Sequence, residues 1–276
     1  MIRTRFAPSP TGWLHLGHAH AAREAFEFAK THGGECLLRI EDTDHTRCKA
    51  HFTQSIYADL DWLGFDWPLP VRVQGQHYPD YAKVVIDLIQ RDLVYPCTLT
   101  RSDIKSGQQP SYDVFDKDKV INILTESSKS ETPSLPFSLR LSLENCVTAL
   151  NMDRLIFEET GPSHKGTHKL ADVLKNKIDP IVARKDIGCA YMIAGPHDDA
   201  LQGITHVVRG EDLFAETALQ ILIQYLMDWP RPIYHHHKLV TTETGEKLSK
   251  RNLDTALKTL KEAGQTPQDI WSMIHV

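Results

Sequence analysis

Eleven residues near the start of the chain, Pro8–His18 (PSPTGWLHLGH), set two prolines, two glycines and two histidines between a short strand and a helix. In the strand, Ile2, Thr4 and Phe6 alternate with Arg3 and Arg5. A strand, a Pro/Gly turn and a helix N-terminus together make a phosphate site. Glycines such as Gly17 let backbone approach closely, and the helix end supplies unpaired N–H groups and a positive dipole. His15 and His18 sit on the first turn, where imidazoles can donate to phosphate oxygens. Taken alone, H-x-x-H reads more simply as a capped helix with surface histidines. Three further clusters reverse that.

The first is Arg39-Ile40-Glu41-Asp42-Thr43-Asp44, carboxylates at the C-terminal end of an expected strand. Ligands of open α/β sheets bind outside strand C-termini, so Glu41 is placed to receive a cationic group. The alternative is a solvated acidic turn that caps the next helix. The second joins Tyr191 (AYMIA) to His197-Asp198-Asp199 and Val208-Arg209-Gly210-Glu211-Asp212. Arg209 could meet a ligand carboxylate in bidentate fashion, or form a surface ion pair with Glu211 or Asp212. Tyr191 could equally be a core residue with a satisfied hydroxyl. The third is Gly245–Arg251 (GEKLSKR), in which Lys247, Lys250 and Arg251 surround Ser249. These cations suit triphosphate charge, although a lone K-x-S-K is commonly a solvated surface run.

The elements that must position these groups alternate. Helical spacing marks Leu16–Thr31, closed by Gly33-Gly34, then about 49–63 and 80–93. Cys36–Ile40 reads as a short buried strand between the first two helices. Strand–helix–strand–helix order argues for a parallel sheet covered on both faces. Lys105–Pro136 is rich in Ser, Lys, Asp, Thr and Pro, and reads as a partly mobile insertion or lobe connection with a weak apolar patch at Val120–Leu124. Strand-like runs return at Phe137–Leu141, Leu155–Glu158, Ala190–Ala194 and Ile204–Arg209. A helix over about 213–227, a strand over 232–239 and a helix over about 255–263 follow. Along that last strand His235, His236 and His237 must alternate between faces, so they do not converge on one ion; His237 is the one placed near a nucleotide.

Bulk properties set limits. With 276 residues the chain can hold one large α/β domain with a modest second lobe. Composition is that of a soluble globular protein, at 41% hydrophobic and 24% charged. No apolar run approaches the ~18–20 residues of a membrane helix. The N-terminus lacks the apolar stretch of a signal peptide, so a cytoplasmic protein without membrane contact is expected. A net charge of −5 argues against broad electrostatic binding to nucleic acid and leaves room for a local basic face. The five scattered cysteines show no C-x-x-C pair and no metal-ligand spacing, which fits packed thiols in a reducing compartment.

In order along the chain, these motifs resemble those of class I aminoacyl-tRNA synthetases. HLGH (His15–His18) is similar to the HIGH signature of that class, and KLSKR (Lys247–Arg251) to its KMSKS loop. RFAPSPTG (Arg5–Gly12), LLRIEDTD (Leu37–Asp44) and VVRGEDL (Val207–Leu213) narrow the resemblance to the glutamyl/glutaminyl branch. It covers nearly the whole chain, least well at Lys105–Asn151. A full glutamyl-tRNA synthetase continues into a helical anticodon-binding region after the KMSKS-like loop, whereas here only residues 252–276 follow Arg251. The chain therefore resembles the truncated paralogous family of glutamyl-queuosine tRNA(Asp) synthetases.

That resemblance implies an α/β fold: a class I synthetase Rossmann-like parallel sheet with an inserted smaller lobe and a short C-terminal helical segment, and no anticodon-binding domain. The expected division is 1–95 and 181–238 for the two halves of the catalytic domain. An inserted lobe of acceptor or zinc-lobe type takes 96–180, and the KMSKS-like loop with its helical segment takes 239–276. The implied activity is ATP-dependent conversion of L-glutamate to glutamyl-adenylate, then transfer to the queuosine base of tRNA(Asp), by a protein acting as a monomer. Arg5, Phe6, Ala7, Pro8, Ser9, Glu41, Tyr191 and Arg209 would hold glutamate. His15, Gly17, His18, Lys247, Ser249 and Lys250 would hold ATP, with His15, His18 and Lys250 acting on the phosphates and Mg²⁺ bridging them. Physically, Glu41 suits the ammonium and the two arginines suit carboxylates, since a buried unpaired carboxylate is costly.

YPCTLTRSDI (Tyr95–Ile104) resembles the family's C-x-C zinc segment, but Leu99 stands where a second cysteine is usual, leaving Cys97 alone. Leucine cannot ligate zinc, so a lobe held by packing is expected, with Tyr112 and Asp113 as remnants of the site. Arg47, Lys49, Arg184 and Lys185 are candidates for a cationic rim toward RNA, and each could equally be solvated surface. The rival readings are a shortened glutamyl-tRNA synthetase charging a tRNA 3′ end, a non-catalytic synthetase paralogue, and another nucleotidyltransferase.

Overall fold

The structure is a computed structural model that describes residues 1–150, 152–175, 177–240 and 256–274. Lys247, Ser249, Lys250 and Arg251 lie outside the described residues.

The chain opens with β1 (Arg3–Phe6), α1 (Leu16–Thr31), β2 (Glu35–Ile40), α2 (Ala50–Trp62), β3 (Arg72–Val73) and α3 (Tyr78–Gln90). β1, β2 and β3 form a parallel sheet, with Arg5 opposite Leu37 and Ile40 opposite Val73. α1 buries Leu16, Ala19, Ala22, Ala25 and Ala29 at helical spacing, and these small side chains let the helix lie close to the strands. The turn into β2 needs glycine at 34, because a Cβ there would sit 2.1 Å from the Ile2 carbonyl oxygen.

The middle of the chain carries β4 (Val94–Cys97), α4 (Arg101–Lys105), α5 (Lys117–Ser128), β5 (Ser138–Leu141), α6 (Leu143–Ala149), β6 (Ile156–Glu159), β7 (Gly166–Lys169), α7 (Leu170–Leu174) and β8 (Ile181–Ala183). Then come α8 (Tyr191–Leu201), β9 (His206–Gly210), α9 (Phe214–Leu226), β10 (Ile233–His237), α10 (Leu257–Glu262) and α11 (Pro267–Met273). β9 and β10 are parallel, with Arg209 opposite His236, and β6 joins β10 in parallel at Glu159 opposite Tyr234. β7 closes this sheet antiparallel to β6. A third, antiparallel sheet has the order β4-β5-β8.

The two parallel sheets meet edge to edge where β1 faces β9. Thr205 N–H donates to the Arg3 carbonyl at 2.9 Å and Arg3 N–H to the Thr205 hydroxyl at 2.8 Å. Arg3 also reaches Glu35 at 2.6 Å and the Gln202 carbonyl at 2.8 Å, tying β2 and α8 to the seam. The mixed α/β architecture with parallel strands is the expected one.

Two expectations change. Ala190–Ala194 is the start of α8 rather than a strand. A short apolar run is compatible with either, and burial of Ile193 and Ala194 in a helix satisfies it as well. Within Lys105–Pro136, residues 117–128 form a helix capped by Asp116, whose Val120 and Leu124 pack on α3. The polar composition of this part reflects the helix's outer face, while residues 106–116 and 129–136 on either side are without helix or strand, as expected. Within residues 156–169, β6 pairs with β10 and β7 pairs with β6.

All five cysteines are free thiols. Cys97 is buried on β4. Tyr112 donates to Asp92 at 2.6 Å and packs against Tyr95 and Phe115, with ring centroids at 5.5 and 5.9 Å. Among the described residues no group of three His, Cys, Asp or Glu could hold a metal ion. Leu99 offers no ligand atom beside Cys97, and the Tyr112 hydroxyl is taken up by Asp92, so the residues present do not fit a zinc site. No described helix is long and apolar enough to cross a membrane.

Candidate active site

The C-terminal ends of β1, β2 and β9 and the N-termini of α1 and α8 open onto one cleft of about 890 Å³. Arg5, Phe6, Ala7, Pro8, Ser9, His15, Gly17, His18, Glu41, Tyr191 and Arg209 all line it. Four segments far apart in sequence are therefore brought to one place at the seam between the sheets, where a ligand crevice is expected in such folds.

At one end, α1 begins with an unusual cap. Gly17 N–H donates to His15 Nδ1 at 3.1 Å, and His15 N–H donates to His18 Nδ1 at 3.2 Å. Both imidazoles thus accept at Nδ1, which in the neutral ring puts the proton on Nε2. The rings lie 3.9 Å apart. Gly17 permits this fold-over, since a Cβ there would already be 3.0 Å from His15 Cε1. Both flanks of the undescribed stretch 241–255 return here: Val240 lines the cleft, and Ala256 bridges to His15, with Leu257 N–H on the Leu14 carbonyl at 2.8 Å.

At the centre lies a buried charge network. Asp199 receives Arg5 Nε at 3.0 Å and Arg39 Nη2 at 2.7 Å, and the same Arg39 nitrogen reaches Glu41 at 3.3 Å. Arg39 also donates to Gln202 at 3.0 Å. Burial pushes the Glu41 carboxyl up to about 7, against the pull of Arg39 and Arg5. Burial also pushes Asp199 upward, but Arg5 and Arg39 outweigh it and hold that carboxyl below its ordinary value. Of the two carboxyls, Glu41 is therefore the one that holds a proton more tightly, and its contact with Arg39 is the longest of the three. The Glu41 N–H is fixed by the Pro8 carbonyl at 3.1 Å, which couples the acidic strand end to the Pro/Gly loop.

At the other end, Arg209 is buried. It donates to His236 Nε2 at 3.1 Å, Gln220 at 2.8 Å and Thr217 at 2.7 Å, with longer contacts to the Leu213 carbonyl at 3.3 Å and the Tyr191 hydroxyl at 3.5 Å. Its guanidinium lies 5.1 Å over the Tyr234 ring. Among the described residues it has no carboxylate partner, so the surface ion pair with Glu211 or Asp212 does not form; Glu211 instead accepts from Ser163. Tyr191 is no sequestered core residue, since it opens α8 on the cleft wall.

Sequence reasoning singled out Asp199 and Arg39 only as neighbours of other groups, and missed Thr217, Gln220 and Gln202. These are uncharged or distant in sequence, and their partners become visible only once β9, α8 and α9 are packed. His235 and His237 both face α1, against Phe28 at 5.2 Å and His20 at 4.8 Å, while His236 points to the opposite face. His237 lines the cleft as expected. Along the rim, Asp44 binds Arg47 Nε at 2.9 Å and Arg184 Nη1 at 3.1 Å, so two of the candidate rim cations converge on it.

A profile of the catalytic domain of class I tRNA synthetases (E and Q) matches residues 1–276. A Glutamyl-Q tRNA(Asp) synthetase from Rhodobacter capsulatus is 39% identical over 279 residues, covering 98% of this chain and 99% of that protein. A Glutamate--tRNA ligase from Aquifex aeolicus is 32% identical over 282 residues, covering 99% of this chain and 56% of that protein. The chain thus spans little more than half the length of the glutamate--tRNA ligases it matches. A solved glutamate tRNA ligase from Elizabethkingia meningosepticum, in complex with its amino acid, superposes with a TM-score of 0.69 at 26% identity, covering 92% of this chain and 52% of that one. With the paired signature motifs, the parallel sheets and a match along its whole length, the chain belongs to the class I tRNA synthetase family, in the branch whose catalytic domains serve E and Q, and is a ligase of that family.

Proposed function

We propose that this cleft condenses L-glutamate with ATP to glutamyl-adenylate and passes the glutamyl group to the queuosine base of tRNA(Asp). The observation that carries the reading is the order of groups in one crevice. Two guanidiniums (Arg5, Arg209) and one carboxyl (Glu41) fit an acidic amino acid, and they adjoin two imidazoles at a helix N-terminus that fit phosphates. The end-to-end similarity to a protein named Glutamyl-Q tRNA(Asp) synthetase supports the choice of acceptor.

In this reading, Glu41 receives the ammonium, Arg5 and Arg209 meet the carboxylates, and Phe6, Ala7, Pro8, Ser9 and Tyr191 shape the pocket. A glutamate carboxylate oxygen attacks the α-phosphorus, the bond to the bridging oxygen breaks, and pyrophosphate leaves. His15 and His18 donate from Nε2 to phosphate oxygens as charge develops, and Gly17 lets the phosphates approach α1. Catalysis of this kind is orientation and charge stabilisation with no protein nucleophile. By the resemblance of KLSKR to the KMSKS loop, Lys247, Ser249 and Lys250 act on the same phosphates. Mg²⁺ travels with the phosphates, since oxygen ligands from ATP and water satisfy it. Arg47 and Arg184 would meet RNA phosphates only by giving up part of their pairing with Asp44 and Asp186. The proposed division of the chain is 1–95 and 181–238 for the catalytic domain, 96–180 for the inserted lobe and 239–276 for the KMSKS-like loop with its helical segment.

Glutamate-dependent ATP–pyrophosphate exchange without tRNA, repeated with glutamine and aspartate, tests the first half. Exchange with glutamate alone is the expected result, and no exchange with any of the three would defeat it. Charging of tRNA(Asp) with and without queuosine tests the second half, and separates it from a shortened ligase that charges the 3′ end.

A further inference from the structure

Arg209 carries a buried charge whose compensation is indirect. Glu159 at the end of β6 is fully buried and its Oε1 accepts the His236 N–H at 2.9 Å and the Gly161 N–H at 2.5 Å, while Oε2 accepts from His236 Nδ1. Burial raises this carboxyl, but these three hydrogen bonds outweigh it and hold it down at about 2. Glu159 is therefore an anion, and His236 must carry its proton on Nδ1. The opposite ring nitrogen, Nε2, is then a bare acceptor, and it takes the Arg209 Nε–H at 3.1 Å. Arg209 always bears that hydrogen, so a doubly protonated imidazole would set two donors against each other. Burial, the first cause, and the Arg209 charge both keep His236 in the neutral form. Gly161 is required for the arrangement, because a Cβ there would lie 2.2 Å from the His236 carbonyl oxygen.

We propose that His236, its tautomer locked by Glu159, is the positioning residue that aims Arg209 into the cleft and leaves its charge available for a ligand carboxylate. The inference rests on reading Arg209 as a carboxylate-binding group. A carboxylate placed directly on Arg209 would neutralise it before a ligand arrived. An imidazole in between fixes the Nε side, while the anion that balances the charge stays one ring away. Gln220 and Thr217 hold the two Nη groups from neutral oxygens, and the long contacts to Tyr191 and Leu213 are those a ligand carboxylate takes over. A positioning device of this kind makes the pocket favour a carboxylate over the isosteric amide, since a full guanidinium charge strengthens hydrogen bonds to anions.

The test compares His236→Phe, which keeps the ring and removes both nitrogens, with His236→Gln, whose amide can donate to Glu159 and accept from Arg209. Circular dichroism checks folding. Titration calorimetry reads glutamate and ATP separately, and exchange is measured on the same proteins. His236→Phe is expected to weaken glutamate binding about tenfold or more and ATP binding less than about twofold, and His236→Gln to recover glutamate binding to within about threefold of wild type. Equal loss for both ligands, unchanged glutamate binding in His236→Phe, or a His236→Gln protein as impaired as His236→Phe would overturn the proposal. If His236→Phe does not fold, His236→Gln alone decides: near-wild-type glutamate affinity supports the positioning role, and a tenfold loss overturns it. Selective loss of glutamate binding in a protein whose wild type shows no exchange would sink the adenylation reading and leave this one standing.

Discussion

At the scale of single residues, the cleft works by leaving charges partly unpaid until a ligand arrives. Glu41 has a carboxyl pushed up to about 7 by burial, and its one ion-pair contact is long. Its ordinary value is 4.5, so the folded chain holds this proton more tightly than the unfolded one. Glu41 therefore withdraws stability as pH rises from 4.5 to about 7, and an incoming ammonium offsets that loss. Only the ionised form holds the ammonium, so below about pH 7 glutamate binding must expel a proton. Glutamate affinity should fall about tenfold for each pH unit below that point and level off above it. Calorimetry in buffers of different ionisation enthalpy would show the released proton. Glu41→Gln should abolish both the slope and the release, and a slope that persists in that variant would place the titrating group elsewhere. Arg209, with neutral partners only among the described residues, makes a second prediction. Arg209→Ala should weaken glutamate binding by about 100-fold or more while ATP binding changes little, because a charged hydrogen-bond pair is lost from one ligand alone. Equal loss for both ligands would make Arg209 structural.

At the scale of elements, a single cap does two jobs at α1. His15 accepts from Gly17 N–H and so satisfies a helix-end donor, while its other nitrogen is the one assigned to phosphate. His15→Asp separates these, because aspartate is a strong N-cap and suits the helix dipole but cannot donate to an anion. The variant should keep its thermal midpoint, and its exchange rate should fall about 10- to 100-fold for the lost charged hydrogen bond. A fall in midpoint with exchange intact would reverse the assignment. This helix was legible from the outset, since Leu16, Ala19, Ala22 and Ala29 repeat at helical spacing and Gly33 and Gly34 end it. α8 was not, because its apolar start, AYMIA, fits a strand as well as a helix, and Pro196 inside it argues against helix on local grounds. α5 was hidden by its polar outer face, which only the contact of Val120 and Leu124 with α3 explains. In the site, the residues in signature motifs were legible because each stands at the end of a strand or the start of a helix. Their supports, Asp199, Thr217, Gln220 and Glu159, come from elements that spacing could not bring together.

At the scale of the whole molecule, the cleft exists because two parallel sheets meet between β1 and β9, and the same buried charges that line it also hold that seam. Asp199 on α8 binds Arg5 on β1 and Arg39 on β2, so one carboxylate joins elements nearly 200 positions apart. Replacing one partner of a buried ion pair costs more than the pair itself contributes, because the remaining charges lose their compensation. Asp199→Asn keeps the shape and removes the carboxylate that both guanidiniums touch, leaving Glu41 and the more distant Asp198, so it should cost about 3–5 kcal/mol. That is a large share of the ~5–15 kcal/mol that holds a typical fold. A lowered urea midpoint at pH 7 would read this directly. Because Arg5 and Arg39 hold the Asp199 carboxyl below its ordinary value of 3.8, its contribution is fully present above that pH and is lost as acid protonates it. Wild type and Asp199→Asn should therefore differ most near neutrality and converge in strong acid. The variant should also bind glutamate more weakly, since Arg5 is no longer held at the cleft wall. A midpoint unchanged at pH 7, or a gap between the two proteins that widens with acid, would show that the seam is held by the backbone and by Arg3 rather than by the charges beneath the ligand.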